Sequence, residues 1–182
     1  LVAQSRKAFG PIDILVCNAA SNPYYGPIAE IEDDVFRKIL DNNILSNHWL
    51  IQMCAPDMVA KGKGSVIIVS SIGGMVGTDT LGAYNISKAA DLQLARNYAT
   101  EFGKQGINVN CIAPGLIKTD MARALWENPK LLSYMEKATP LGRIGAPDEI
   151  AGAAVFVASA ATNSMTGQAL VIDGGTTITA GI

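Results

Sequence analysis

Short apolar runs rich in β-branched residues alternate with helical patterns along this chain, and no other feature limits the fold as much. Ile12 to Cys17 (IDILVC) follows the turn signal Gly10-Pro11, and Ser65 to Ser70 (SVIIVS) is almost continuously apolar. Ile107 to Ile112 (INVNCI) alternates as a strand does, and Ala169 to Ile172 is a last short strand before Asp173-Gly174-Gly175. Helical patterns fill the gaps at Asp34 to Ala60, at Ala83 to Phe102 and from Pro147 to about Ala158. Pro56 should kink the first of these or stand near its end. Gly103 and Gly106 end the second, and Pro147 with Asp148 and Glu149 opens the third. Leu1 to Gly10 reads as the last turns of another helix, and Leu116 to Leu141 as a mixed segment, helical in parts. This order predicts right-handed β-α-β units and a parallel sheet covered on both faces. Ligands in such sheets sit beyond the carboxyl ends of the strands. The loops after Cys17, Ser70 and Ile112 are therefore where chemistry is expected.

Composition removes several classes of function. The 182 residues are 49% hydrophobic and 16% charged, which suits one globular domain rather than a disordered chain. A net charge of -2, with no block of like charges, argues against nucleic acid and against anionic membrane surfaces. The longest apolar stretch, Ala151 to Ala161, is well short of the roughly 20 residues that span a bilayer. No secretory signal is visible. Cys17, Cys54 and Cys111 are scattered and lack C-x-x-C spacing, which predicts neither a disulfide framework nor a zinc site and suggests a reducing compartment such as the cytoplasm. The single histidine, His48, lies beside Trp49 on a predicted helix and reads as a packing or interface residue. No histidine cluster is present to hold a metal.

Tyr84 and Lys88 carry the strongest chemical signal. A Y-x-x-x-K spacing on a helix puts both side chains on one face, about 5–6 Å apart at Cβ. The ammonium can favour the tyrosinate, lowering a pKa that is ordinarily about 10, and so make Tyr84 an acid/base near neutral pH. Ser71 stands 13 residues before Tyr84, at the carboxyl end of the SVIIVS strand. A serine there can hydrogen-bond a substrate oxygen, and the neighbouring Ser70 competes for that role. Asn42 and Asn43 interrupt a helix that Asn forms poorly, so a buried one should serve a kink or a polar network. Asn18-Ala19-Ala20 follows the first strand as a simple turn or as a close approach to a ligand. Pro114 to Thr119 follows the third as a rigid turn or as a source of backbone groups for a ligand amide.

Together these segments resemble the short-chain dehydrogenase/reductase family across the whole chain. The strings that carry the likeness are ILVCNAAS, ILDNNILSN, SVIIVSSIGG, YNISKAA, INVNCIAPGLIKT, PLGRIGAPDEIA and MTGQALVIDGG. The resemblance implies an α/β fold with a Rossmann-type doubly wound parallel sheet. It implies hydride transfer between NAD or NADP and a carbonyl or secondary alcohol. Tyr84 would be the acid/base, Lys88 its tuner and a ligand of the nicotinamide ribose, and Ser71 the residue that polarises the substrate. Asn43 would be the helix-kink asparagine of a proton relay to Lys88, with Asn42 out of register for it. Asn18, Ala19 and Ala20 would line the adenosine side, although Cys17 and Ala20 replace the usual Asn and Gly. Pro114, Gly115, Ile117 and Thr119 would meet the carboxamide. Residues 120–138 would form a substrate lid. Leu116 and Trp126 would touch substrate, and Met121, Leu125 and Tyr134 would close an apolar pocket. The helices Asp34 to Ala60 and Ala83 to Phe102 match those that pair in the family's dimers and tetramers, so a homo-oligomer is expected.

SNPYYG and ALWENPKLLSYM bring the chain nearer to the branch of dicarbonyl and retinal reductases, although it ends Ala180-Gly181-Ile182 and not in a peroxisomal tripeptide. The family's glycine-rich phosphate loop is not in this sequence; Gly73-Gly74-Met75-Val76-Gly77 follows the serine strand instead. The resemblance therefore implies that the family's first three strands precede Leu1, in a longer polypeptide. Two other readings stand beside the oxidoreductase: a dehydrogenase-like protein acting by binding or assembly, and a β-ketoacyl carrier reductase.

Overall fold

Val66, Ile67 and Ile68 are completely buried, as are Ile107, Val109, Cys111 and Ile112, because both faces of these two strands are covered. The computed structural model describes residues 1–179; Ala180, Gly181 and Ile182, the terminal tripeptide, lie outside the described residues. The sheet has four parallel strands in the order β1 (Ile14–Cys17), β2 (Gly64–Val69), β3 (Ile107–Pro114) and β4 (Ala169–Ile172). Its register sets Val16 beside Ile67, Val69 beside Ile112 and Ala113 beside Val171. Helix α1 (Val2–Phe9) precedes β1. A continuous helical stretch follows it: α2 (Asp33–Leu40), a π-helical segment (Asp41–Leu45) and α3 (Ser46–Lys61). Beyond β2 come α4 (Gly82–Phe102), β3, the short α5 (Arg123–Trp126), α6 (Pro129–Ala138), α7 (Pro147–Ala158) and β4.

Alternation along the strands divides the core in two. Val66, Ile68, Val109 and Cys111 face α3 and α4, packing with Ile51, Met58, Leu92, Ala95 and Tyr98. Ile67 and Ile112 face α7 and meet Val157. The polar residues of the α7 face are satisfied: Asn110 donates to the Met165 carbonyl at 2.8 Å and accepts from the Gln168 amide at 3.0 Å. The expectation of two covered faces holds for the inner strands only. On β1, Cys17 points into the core, while Ile14 and Val16 are 49% and 45% exposed, because α7 packs on β2 and β3.

The helix expected at Asp34 to Ala60 is present, and Pro56 lies little more than one turn before its end. The irregularity is instead the π-helical segment around the two asparagines. Strand β3 runs two residues past its expected end, since Ala113 and Pro114 pair with Val171 and Ile172. Arg6 of α1 donates to Asp57 of α3 at 2.8 Å, and the same carboxylate accepts from the Ile12 amide at 2.9 Å, which fixes the entry into β1.

The turn from α4 into β3 requires glycine. Gly106 has φ of 79°, and a Cβ there would lie 2.1 Å from the Gly62 carbonyl oxygen of the facing turn. Gly106→Ala is expected to cost about 2 kcal/mol or more, from a left-handed alanine and a backbone clash together. Chemical denaturation measures this; an unchanged midpoint would show that the two turns do not depend on this close approach.

Candidate active site

Tyr84 sits in the first turn of α4 and Lys88 one turn later, so their placement follows from helix geometry. The Lys88 Nζ lies 5.7 Å from the centre of the Tyr84 ring. The helix is held against the end of β2 by a loop that small residues allow. A Cβ on Gly74 would stand 2.7 Å from the Lys88 carbonyl, and one on Gly73 would stand 2.3 Å from Asn85 Oδ1. That Asn85 oxygen is buried and has no hydrogen-bond partner among the described residues.

The two serines at this strand end separate cleanly. Ser70 is buried, its amide donates to the Ile112 carbonyl and its hydroxyl donates to the Lys88 carbonyl at 2.8 Å. Ser71 begins a short 3₁₀ turn, Ile72–Gly74, and its hydroxyl accepts from the Gly73 amide at 3.0 Å. Ser70 ties β2 to α4, which leaves Ser71 as the hydroxyl on the Tyr84 side.

Lys88 is almost fully buried. Its Nζ donates to the Val69 carbonyl at 2.9 Å and to Asp91 Oδ2 at 3.1 Å. The carboxylate of Asp91, also fully buried, accepts from Asn47 Nδ2 at 2.9 Å, and that amide donates to the Asn43 carbonyl at 2.7 Å. The Asn43 side chain grips the loop after β1: it accepts from the Ser21 amide at 2.8 Å and donates to the Ser21 carbonyl at 3.0 Å. It also donates to Ser87 Oγ at 2.9 Å, and Ser87 donates to the Tyr84 carbonyl at 2.7 Å. The buried asparagine of the pair is thus Asn43. Asn42 is exposed and reaches Ser21 Oγ at 3.0 Å.

The electrostatics differ from the simple expectation of a lysine beside a tyrosine. Burial holds the Tyr84 phenol above its ordinary pKa, the Ser71 hydroxyl draws it down, and the charge of Asp91 adds to the rise. The Lys88 charge is met by Asp91 rather than left free for Tyr84. Burial also pushes the Asp91 carboxyl up, while the charge and hydrogen bond of Lys88 and the hydrogen bond of Asn47 pull it down. The three cysteines are buried and unbonded, and burial raises the Cys17 and Cys111 thiols to about 12.

The remaining expected residues lie along the carboxyl ends of β1 and β3. Asn18 and Ala19 are exposed and Ala20 half-buried, directly after β1. Pro114 closes β3, and the Gly115 amide donates to the Ile172 carbonyl at 2.9 Å. Ile117 bridges to Gly145, and Thr119 is exposed. Leu116 and Ile117 line a cavity of about 70 Å³ with Leu141, Arg143, Glu149 and Asp173, and Tyr84 is not part of its lining. Trp126 packs back on its own loop, donating to the Thr119 carbonyl at 2.8 Å under the Lys118 ammonium. Met121 and Tyr134 are exposed, so they do not close an apolar pocket in this structure; Leu125 is half-buried. His48 shares a 2.6 Å hydrogen bond with the Tyr98 hydroxyl and stacks on its ring, a packing arrangement. Among the described residues no cluster of His, Cys, Asp or Glu could hold a metal, and no helix is long and apolar enough to cross a membrane.

Sequence reasoning did not identify Asp91 and Asn47. The signal for Asp91 was a lone carboxylate in the small, apolar run of KAADLQLA, three residues from Lys88 and so on its face of the helix. Asn47 stands one turn after Asn43.

The family model described as enoyl-(acyl carrier protein) reductase matches residues 1–177. The chain is 40% identical over 175 residues to dehydrogenase/reductase SDR family member 4 of Bos taurus and 40% identical over 176 residues to that of Homo sapiens. The chain belongs to the short-chain dehydrogenase/reductase family. The matches cover 96% and 97% of this chain, and it spans 63% of the length of each of these two relatives. A gluconate 5-dehydrogenase of Burkholderia cenocepacia, solved with NADP and tartrate, superposes with a TM-score of 0.91 at 31% identity, covering 98% of this chain and 69% of that one. A short-chain type dehydrogenase/reductase of Mycobacterium ulcerans gives 0.93 at 32% identity, covering 97% and 64%. These short-chain dehydrogenase/reductase neighbours confirm the α/β, Rossmann-type reading of the sheet.

The two serines should part in their effect on stability. Ser70→Ala removes the buried bond to the Lys88 carbonyl and is expected to cost about 1–2 kcal/mol. Ser71→Ala should stay within about 0.5 kcal/mol of the parent, as substitutions outside the core do. Equal losses in thermal denaturation would contradict the division of roles.

Proposed function

We propose that the full natural chain is a nicotinamide-dependent oxidoreductase acting on a small carbonyl or secondary alcohol, with Tyr84 as its acid/base. The observation that carries this reading is the meeting of Ser71, Tyr84 and Lys88 at the carboxyl end of β2, with the lysine 5.7 Å from the tyrosine ring. Ligands of parallel sheets bind at such strand ends.

The residues fit a nicotinamide nucleotide. Val69 and Asp91 take two of the three Lys88 ammonium hydrogens, and the third suits a ribose hydroxyl or the tyrosine oxygen. Pro114, Gly115, Ile117 and Thr119 would border the carboxamide, and Asn18, Ala19 and Ala20 the adenosine side. NADP is favoured by likeness to the Burkholderia protein, with NAD as the second arm of the assay. The bound nucleotide supplies or accepts the hydride.

The protein's own part is proton transfer and orientation. Ser71 would donate a hydrogen bond to the substrate oxygen. Tyr84, kept protonated by burial, would hand its proton to that oxygen as a carbonyl is reduced, or take it back as an alcohol is oxidised. Lys88 would hold the nucleotide ribose and stabilise the tyrosinate left behind. Asn43 would hold the loop after β1 in place through Ser21 and link the helix kink to Lys88. Leu116, Trp126 and residues 120–138 would close over the substrate.

The 40% identity to the mammalian family members supports the dicarbonyl and retinal reductase branch as the nearest substrate class. Three buried, unpaired cysteines support a reducing compartment, and we assign the cytoplasm. The exposed Trp49 and Met53 on α3, with the small residues of α4, support a homodimer or homotetramer.

Dicarbonyl-dependent oxidation of NADPH or NADH by the full natural chain tests the reading. Tyr84→Phe is expected to lower turnover by about 10²-fold or more. Undiminished turnover would overturn the role of Tyr84.

A further inference from the structure

Asp91 is fully buried on the face of α4 that also carries Lys88, Leu92 and Ala95, and both of its carboxyl oxygens are hydrogen-bonded. One oxygen accepts from the Lys88 ammonium and the other from the Asn47 amide. Neither donor group can act as an acceptor, so both oxygens serve as acceptors, and a cation and an amide together favour the carboxylate against the effect of burial. Asn47 in turn reaches the Asn43 carbonyl in the π-helical segment. An unbroken path therefore runs from the helix kink through Asn47 and Asp91 to Lys88, beside Tyr84.

We propose that Asp91 is a positioning residue for the Tyr84–Lys88 pair: its carboxylate, oriented by Asn47, balances the buried ammonium and fixes it at the end of β2. Lys88 then meets the ribose and Tyr84 from a set position, and only part of its field reaches the phenol. The inference rests on the acid/base reading of Tyr84.

The sign of the effect follows from charge. The Asp91 carboxylate disfavours a negative tyrosinate and offsets the cation that favours one, so it keeps Tyr84 protonated to higher pH. The other titratable groups facing Asp91 are Cys17 of β1 and Cys111 of β3, whose Sγ donates to the Asp91 backbone carbonyl at 3.5 Å. Both thiols are held up to about 12 and stay neutral over the working range. Arg96 of α4 acts on Cys111 from farther along the helix.

Asp91→Asn keeps the shape and removes the charge. Two readouts on the full natural chain test the idea: the pH profile of kcat/KM, and ultraviolet titration of tyrosinate in the cofactor-free protein with the Tyr84→Phe spectrum subtracted. In the reductive direction the profile falls as pH rises through the Tyr84 pKa. Asp91→Asn should move that fall, and the tyrosinate midpoint, to lower pH by about 0.5–1 unit. Asp91→Ser removes the same charge and leaves room for water beside the ammonium, and should give a shift in the same direction. It serves alone if Asp91→Asn does not fold. A merely structural role would lower stability and turnover and leave both midpoints in place. Unchanged or raised midpoints would overturn the proposal. Full turnover by Tyr84→Phe would instead overturn the acid/base reading, while the spectroscopic titration still judges the charge coupling.

Discussion

An ammonium removed from water needs a counter-charge, and the Lys88 ammonium is removed almost completely. Asp91 supplies that charge from the next turn of the same helix at 3.1 Å, so the pair assembles as soon as α4 forms. Such a pair adds little net stability, because two ions are desolvated to make it, but removing one partner costs about 3–5 kcal/mol. It acts more on geometry than on stability. Through Val69 the lysine caps the end of β2, through Asn47 the aspartate reaches the kinked helix, and through Asn43 that kink holds Ser21 in the loop after β1. The end of β2, the helix kink and the loop after β1 thus converge on one buried charge pair.

This arrangement changes how the tyrosine is understood. A lysine one helical turn away suggests a phenol drawn toward ionisation. The structure places a carboxylate behind that lysine and partly buries the phenol, and both hold the proton on Tyr84. A tyrosine that keeps its proton is suited to donate one to a reduced carbonyl. In the reverse direction the same tyrosine must first lose it, which makes the charge balance around Lys88 the natural point of control.

Most of the architecture was legible in the sequence because it rests on periodicity. The continuous apolar run at Ser65 to Ser70 marked a buried strand, the alternation at Ile107 to Ile112 marked a second strand, and the glycines and prolines marked the helix ends. Tyr84, Ser71 and Lys88 were legible because their spacing fixes them on one helix and one strand end. The choice between Ser70 and Ser71 was not, since it depends on which hydroxyl faces the Lys88 carbonyl. Nor was the exposure of Ile14 and Val16, which depends on how far α7 reaches across the sheet. Asp91 and Asn47 were hidden for a similar reason: each is unremarkable in its own helix and gains meaning only when α3 and α4 pack together. The poses of Trp126, Met121 and Tyr134 are set by loop packing, which no local pattern encodes.

A double-mutant cycle on Lys88 and Asp91 tests the central claim most directly. Lys88→Met, Asp91→Leu and the double substitution would be compared by chemical denaturation of the full natural chain. If the pair is a mutually dependent buried ion pair, the double substitution should be less destabilising than the sum of the single ones by more than about 1 kcal/mol. Additive losses would contradict it, and would mean that the two charges are accommodated independently.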